Sequence, residues 1–62
     1  MAVPLEDCRV LIVDDNPFTR KSLALVIRRA GCQSIEFAAD GAEALGKVER
    51  FRPDLILLDV DM

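Results

Sequence analysis

At 62 residues the chain is one domain at most, and so short a chain buries a smaller share of its surface than a full-sized domain, which leaves a thin stability margin. Its composition, 52% hydrophobic and 31% charged with three Phe and no Trp or Tyr, suits a soluble globular protein and argues against disorder. A net charge of -3 without a long run of like charge argues against direct nucleic-acid binding and against a membrane-surface helix.

No apolar stretch is long enough to span a bilayer, and Met1 to Asp7 lack the basic start and apolar centre of a signal peptide, so a cytoplasmic location is expected. Residues 1–7 read as a short N-terminal tail, with the domain proper over residues 8–62. Cys8 and Cys32 are too few for a disulfide scaffold, and without histidine they make no ordinary zinc site. Buried free thiols are the simple expectation. If each opens a neighbouring parallel strand, oxidative cross-linking is the alternative.

Arg9 to Val13 is a β-branched apolar run that predicts a buried strand, with Asp14 and Asp15 where its tip meets solvent. Asn16-Pro17 supplies an N-cap and a proline at the first helical position, so a helix is expected from Pro17 to about Ala30 with Gly31 as its stop. Leu23, Val26, Ile27 and Ala30 form its expected core-facing stripe. Arg20, Lys21, Arg28 and Arg29 lie mostly off that stripe, either as a solvated face or as a dock for an acidic partner.

Gln33 to Ala39 alternates apolar and polar residues, the period of a half-exposed edge strand. Asp40 and Glu43 come close to a capping box. The helix they open should reach Phe51 or Arg52, with Ala44, Leu45 and Val48 inward, before Pro53 ends it. Leu55 to Leu58 is a run of four large apolar residues, as in a parallel strand covered on both faces, and Asp59 falls where that strand leaves the core.

The organisation is βαβαβ, which requires parallel strands joined by right-handed crossovers. Asp14, Asp15 and Asp59 then share the carboxyl edge of the sheet, where open α/β sheets bind ligands. If the first strand lies between the other two, the tips carrying Asp15 and Asp59 are neighbours about 4.8 Å apart. Clustered carboxylates repel unless a cation neutralises them, and Mg²⁺, which takes one or two carboxylates with waters and a phosphate oxygen, resolves this. A metal beside an exposed Asp on a rigid strand suggests phosphoryl chemistry, with the carboxylate attacking phosphorus.

The segments Val10-Leu11-Ile12-Val13-Asp14-Asp15-Asn16, Ala39-Asp40-Gly41-Ala42-Glu43-Ala44-Leu45 and Pro53-Asp54-Leu55-Ile56-Leu57-Leu58-Asp59-Val60-Asp61-Met62 resemble the receiver domain of two-component response regulators, CheY-like in fold. The resemblance implies a flavodoxin-like α/β fold, of which this chain would be the N-terminal half, with strand order 2-1-3. It implies Asp59 as phosphoacceptor, and Asp14, Asp15, Asp59 and the backbone carbonyl of Asp61 as Mg²⁺ ligands. It also implies a sensor histidine kinase or histidine phosphotransfer protein as phosphoryl donor. The hydroxyl residue, lysine and switch aromatic of such domains have no counterpart in these residues, so the chain is expected to be an incomplete phosphoacceptor and not an enzyme.

Three alternatives stand beside it. Asp59-Val60-Asp61 also resembles the nucleophile motif of haloacid-dehalogenase-type phosphatases, although there the motif sits on the first strand and Asp14-Asp15 goes unexplained. Gly41 to Lys47 matches the opening of a phosphate-binding P-loop, but Val48 replaces the expected Ser or Thr and Ala-Glu-Ala-Leu is strongly helix-forming. A non-catalytic module is the third, pairing through the open edge of the last strand as a homodimer or with a complementing chain.

Overall fold

The structure, a computed structural model, describes residues 4–58. A 3-10 turn at Leu5–Asp7 precedes β1 (Arg9–Val13), α1 (Pro17–Arg29), β2 (Ser34–Ala38), α2 (Gly41–Phe51) and β3 (Leu55–Leu58). The strands form one parallel sheet in the order β2-β1-β3, as expected. The end of the expected tail is ordered locally: the Asp7 amide donates to the Pro4 carbonyl at 2.9 Å.

Each helix is bounded by the chemistry of its own sequence. Asn16 Oδ1 accepts from the amides of Phe18 at 2.9 Å and Thr19 at 3.4 Å, and Pro17 needs no donor partner. At the far end Gly31 takes φ of 114°, its amide bonding the Arg28 carbonyl and the Cys32 amide bonding that of Ile27, which closes α1 and turns the chain back. Asp40 caps α2 by accepting from the Glu43 amide at 2.8 Å, while the Glu43 carboxylate reaches back to the Ala39 amide at 3.3 Å. Helix is therefore the state of Gly41 to Lys47, which removes the P-loop alternative.

The central strand carries the core. Val10, Leu11, Ile12 and Val13 are all buried, and each such side chain is worth about 1.5 to 3 kcal/mol. Val10 and Ile12 pack with Ala24, Leu23 and Ile27 of α1 and with Ile35, Phe37 and Leu57. Leu11 and Val13 pack on the opposite face with Ala38 and with Ala44 of α2. Side-chain alternation along β1 thus divides the core between two helices.

The helix faces differ from those expected. In α1 the sheet-facing residues are Leu23, Ala24 and Ile27, whereas Val26 is 66% exposed and Ala30 is exposed. In α2 Ala44 faces inward, and Leu45 is 70% exposed. Lys47, not Val48, is half-buried on that face, joined to Glu36 at 2.9 Å. Over so narrow a sheet a helix touches one line of residues, and where it crosses β1 decides which.

β3 is also less covered than expected of a strand buried on both faces. Leu55, Ile56 and Leu58 are exposed and only Leu57 joins a core cluster. The two helices lie against β1 and β2, and no strand flanks the outer edge of β3 among the described residues.

Candidate functional site

β1 delivers its acids to the carboxyl edge of the sheet in two different states. Asp14 is fully buried, contrary to the expected meeting with solvent, because the ladder continues past the strand: its amide donates to the Ala38 carbonyl at 3.0 Å. Its Oδ1 accepts from the Asn16 amide at 2.9 Å, and Arg20 Nη1 donates to its carbonyl oxygen at 2.7 Å. Oδ2 is buried and has no hydrogen-bond partner among the described residues. Asp15 is exposed, and Asn16 is committed to capping α1.

An orphaned buried carboxylate oxygen costs about 1 to 3 kcal/mol, more when charged. A small cation would remove that cost by coordinating the oxygen, and the all-oxygen donors Asp14 and Asp15 suit a hard ion such as Mg²⁺. Among the described residues no group of three or more acids, cysteines or histidines assembles around one point. What the described structure contributes to a metal site is therefore the β1 pair.

Asp59 and Asp61 lie outside the described residues. The strand leading to them is fixed by register: Val13 is opposite Leu58, so the end of β3 lies beside the end of β1. That register is anchored at the other end of the strands. The Asp54 amide donates to the Arg9 carbonyl at 2.7 Å, and the Arg9 amide donates to Asp54 Oδ2 at 2.9 Å.

Arg20 is expected from the sequence either on a solvated face or in a dock for an acidic partner, and neither expectation includes its bond to the Asp14 carbonyl. It lies in the first turn of α1, where the helix starts next to the strand tip, and that proximity carries its guanidinium back to Asp14. The cysteines are free, as expected, but only Cys32 is buried and Cys8 is half-buried. The Cys32 thiol donates to the Cys8 carbonyl at 3.3 Å. Desolvation, then the nearby Asp54 carboxylate and Cys32, push the Cys8 thiol above its ordinary pKa.

Compared with known families, residues 10–62 match the response regulator receiver domain. The chain belongs to that family. Chemotaxis protein CheY of Thermotoga maritima is 41% identical over 54 residues, which is 87% of this chain and 45% of that protein. The transcriptional regulatory protein PdtaR of Mycobacterium tuberculosis H37Rv is also 41% identical over 54 residues, covering 87% of this chain and 26% of PdtaR. A protein-glutamate methylesterase/protein-glutamine glutaminase of Myxococcus xanthus is 46% identical over 55 residues, 87% of this chain and 16% of its own. The receiver chain thus spans less than half the length of these relatives. No solved structure gives a significant match.

Receiver domains act in two-component signalling as phosphoacceptors and are generally not enzymes. The esterase named above shares only 16% of its length with this chain, so its name transfers no hydrolytic activity here. Family and strand position together leave the haloacid-dehalogenase reading without support, since Asp59 follows the third strand and not the first.

Proposed function

We propose that this receiver accepts a phosphoryl group on Asp59, with Mg²⁺ held by Asp14, Asp15, Asp59 and the backbone carbonyl of Asp61. The carrying observation is Asp14: a buried carboxylate with one oxygen unpartnered among the described residues, beside exposed Asp15, at the end of the central strand. Leu58 stands opposite Val13, and chain connectivity keeps the Cα of Asp59 within about 3.8 Å of that of Leu58.

A carboxylate oxygen of Asp59 attacks phosphorus, a P–O bond forms as the P–N bond of a phosphohistidine breaks, and the imidazole departs with a proton from solvent. Bound Mg²⁺ supplies charge neutralisation for the transferring phosphoryl group. Asp14 and Asp15 hold the cation, and Arg20 fixes the Asp14 main chain through its carbonyl. The donor is a sensor histidine kinase or a histidine phosphotransfer protein, a pairing that fits a cytoplasmic location. The exposed edge of β3 takes a second copy or a complementing chain.

The test is intact mass after incubation with an acyl phosphate and Mg²⁺. The chain should gain one phosphoryl group in low yield, and Asp59→Asn should gain none. Equal modification of both would remove Asp59 from the reaction.

A further inference from the structure

The basic side of α1 is more than a solvated face. Lys21, Ala24, Leu25 and Arg28 stand at i, i+3, i+4 and i+7, hence on one helix face, and together with Phe37 of β2 they line an open hollow of about 330 Å³. A second hollow of about 170 Å³, lined by Pro17, Arg20, Lys21 and Phe37, continues it toward the start of the helix. Lys21 and Phe37 belong to both, so the two form one furrow between α1 and the outer side of the sheet. β2 is the terminal strand there, so no further strand covers this side among the described residues.

The furrow has an apolar floor between two cations. Ala24, Leu25 and Phe37 supply the floor, and Leu25 is 54% exposed. The one ion pair among the described residues joins Lys47 to Glu36 on the other face of β2, so neither Lys21 nor Arg28 is matched by an acid. Seven helical residues separate the two cations by about 10 Å, a distance that about three extended residues cover. The overall charge of -3 makes this a local basic patch on an acidic protein, which disfavours a nucleic-acid backbone or an anionic membrane and favours a short complementary segment.

We propose that the α1–β2 furrow docks an extended acidic segment of a partner protein, one apolar side chain resting on Phe37 and Leu25 and flanking Asp or Glu side chains meeting Lys21 and Arg28. Asp14 and Asp15 line neither hollow, and of the furrow residues only Arg20, at its end near the start of α1, also touches Asp14, so the proposed contacts to Lys21, Leu25, Arg28 and Phe37 lie beside the acidic edge and not on it.

The probe is a short fluorescent peptide of Asp and Glu around a central Leu, titrated in EDTA against the full chain. Polarisation should saturate, and amide shift changes should centre on Lys21, Leu25, Arg28 and Phe37. Joint Lys21→Glu and Arg28→Glu substitution should weaken binding about tenfold or more. Replacing the peptide Leu by Ser should weaken it as well, while a Lys-based peptide should not bind. Both protein positions are exposed, so circular dichroism of the double variant should match that of the parent. The proposal fails if the acidic peptide does not bind at millimolar concentration or binds the double variant equally well. It fails equally if phosphatidylserine vesicles bind where the peptide does not, or if sedimentation shows a second copy filling the furrow.

Discussion

Asp14 and Asp15 are adjacent acids with opposite fates, and the difference is one of backbone hydrogen bonding. The bond from the Asp14 amide to Ala38 keeps Asp14 in the ladder and under cover, whereas Asp15 has left it. Burying a carboxylate oxygen that has no partner among the described residues is destabilising, so Asp14 stands there at a cost to the fold. Asp14→Asn should therefore raise the stability of the chain in EDTA by about 1 kcal/mol, read from urea denaturation. Mg²⁺ should stabilise the parent by mass action and leave the variant unchanged. A parent indifferent to Mg²⁺ would sink the metal assignment. The doublet of acids was legible in the sequence as a candidate site, but its division into one buried and one exposed carboxylate was not. Period-2 reasoning ends where the strand ends, and the last ladder bond lies beyond it.

At the scale of elements, boundaries were legible because they depend on neighbouring residues. Asn16-Pro17, Gly31 and Asp40 all act where their chemistry predicts. The end of α2 is the instructive exception. Pro53 marks the stop, yet the turn is made by Arg52, which adopts φ of 53° and ψ of 66°, a left-handed conformation that costs a non-glycine residue roughly 1 to 2 kcal/mol. Part of that is recovered on substitution, so Arg52→Gly should stabilise the chain by about 0.5 to 1 kcal/mol and shift the urea midpoint upward without altering its slope. A lower midpoint would mean that the Arg52 side chain contributes more than its backbone strain costs. Helix faces were less legible than helix ends. Several apolar residues lie around each helix, and propensity is blind to which of them the sheet will meet; Leu45 and Val26 stay exposed while Ala44 and Ala24 face inward.

For the whole molecule the governing fact is asymmetry about β1. The central strand is buried from Val10 to Val13, β2 is half-buried, and β3 leaves Leu55, Ile56 and Leu58 at 45%, 43% and 64% exposure. An exposed apolar edge strand offers unpaired amides and carbonyls to another chain. Concentration-dependent association is therefore expected in sedimentation, and Leu55→Lys, which puts a charge on that edge away from the acids, should reduce it. A parent that stays monomeric at high concentration would rule out pairing through β3. The opposite flank differs in kind, since the furrow beside β2 is mixed apolar and basic and so suits a segment of defined chemistry rather than another copy of the sheet.

By itself the sequence determined the alternation of elements, their caps, the parallel sheet and the family resemblance, because each follows from short-range periodicity and from the few residue types that fit strand tips and helix ends. The order β2-β1-β3 came from the resemblance and is borne out by the pairing. It took the tertiary structure to show that Asp14 is buried with one oxygen unpartnered among the described residues, that Arg20 holds its carbonyl, and that Lys21, Leu25, Arg28 and Phe37 share one furrow. Those are relations between residues distant in the chain or on opposite sides of a turn. They are set by where helices cross the sheet, which no local pattern encodes.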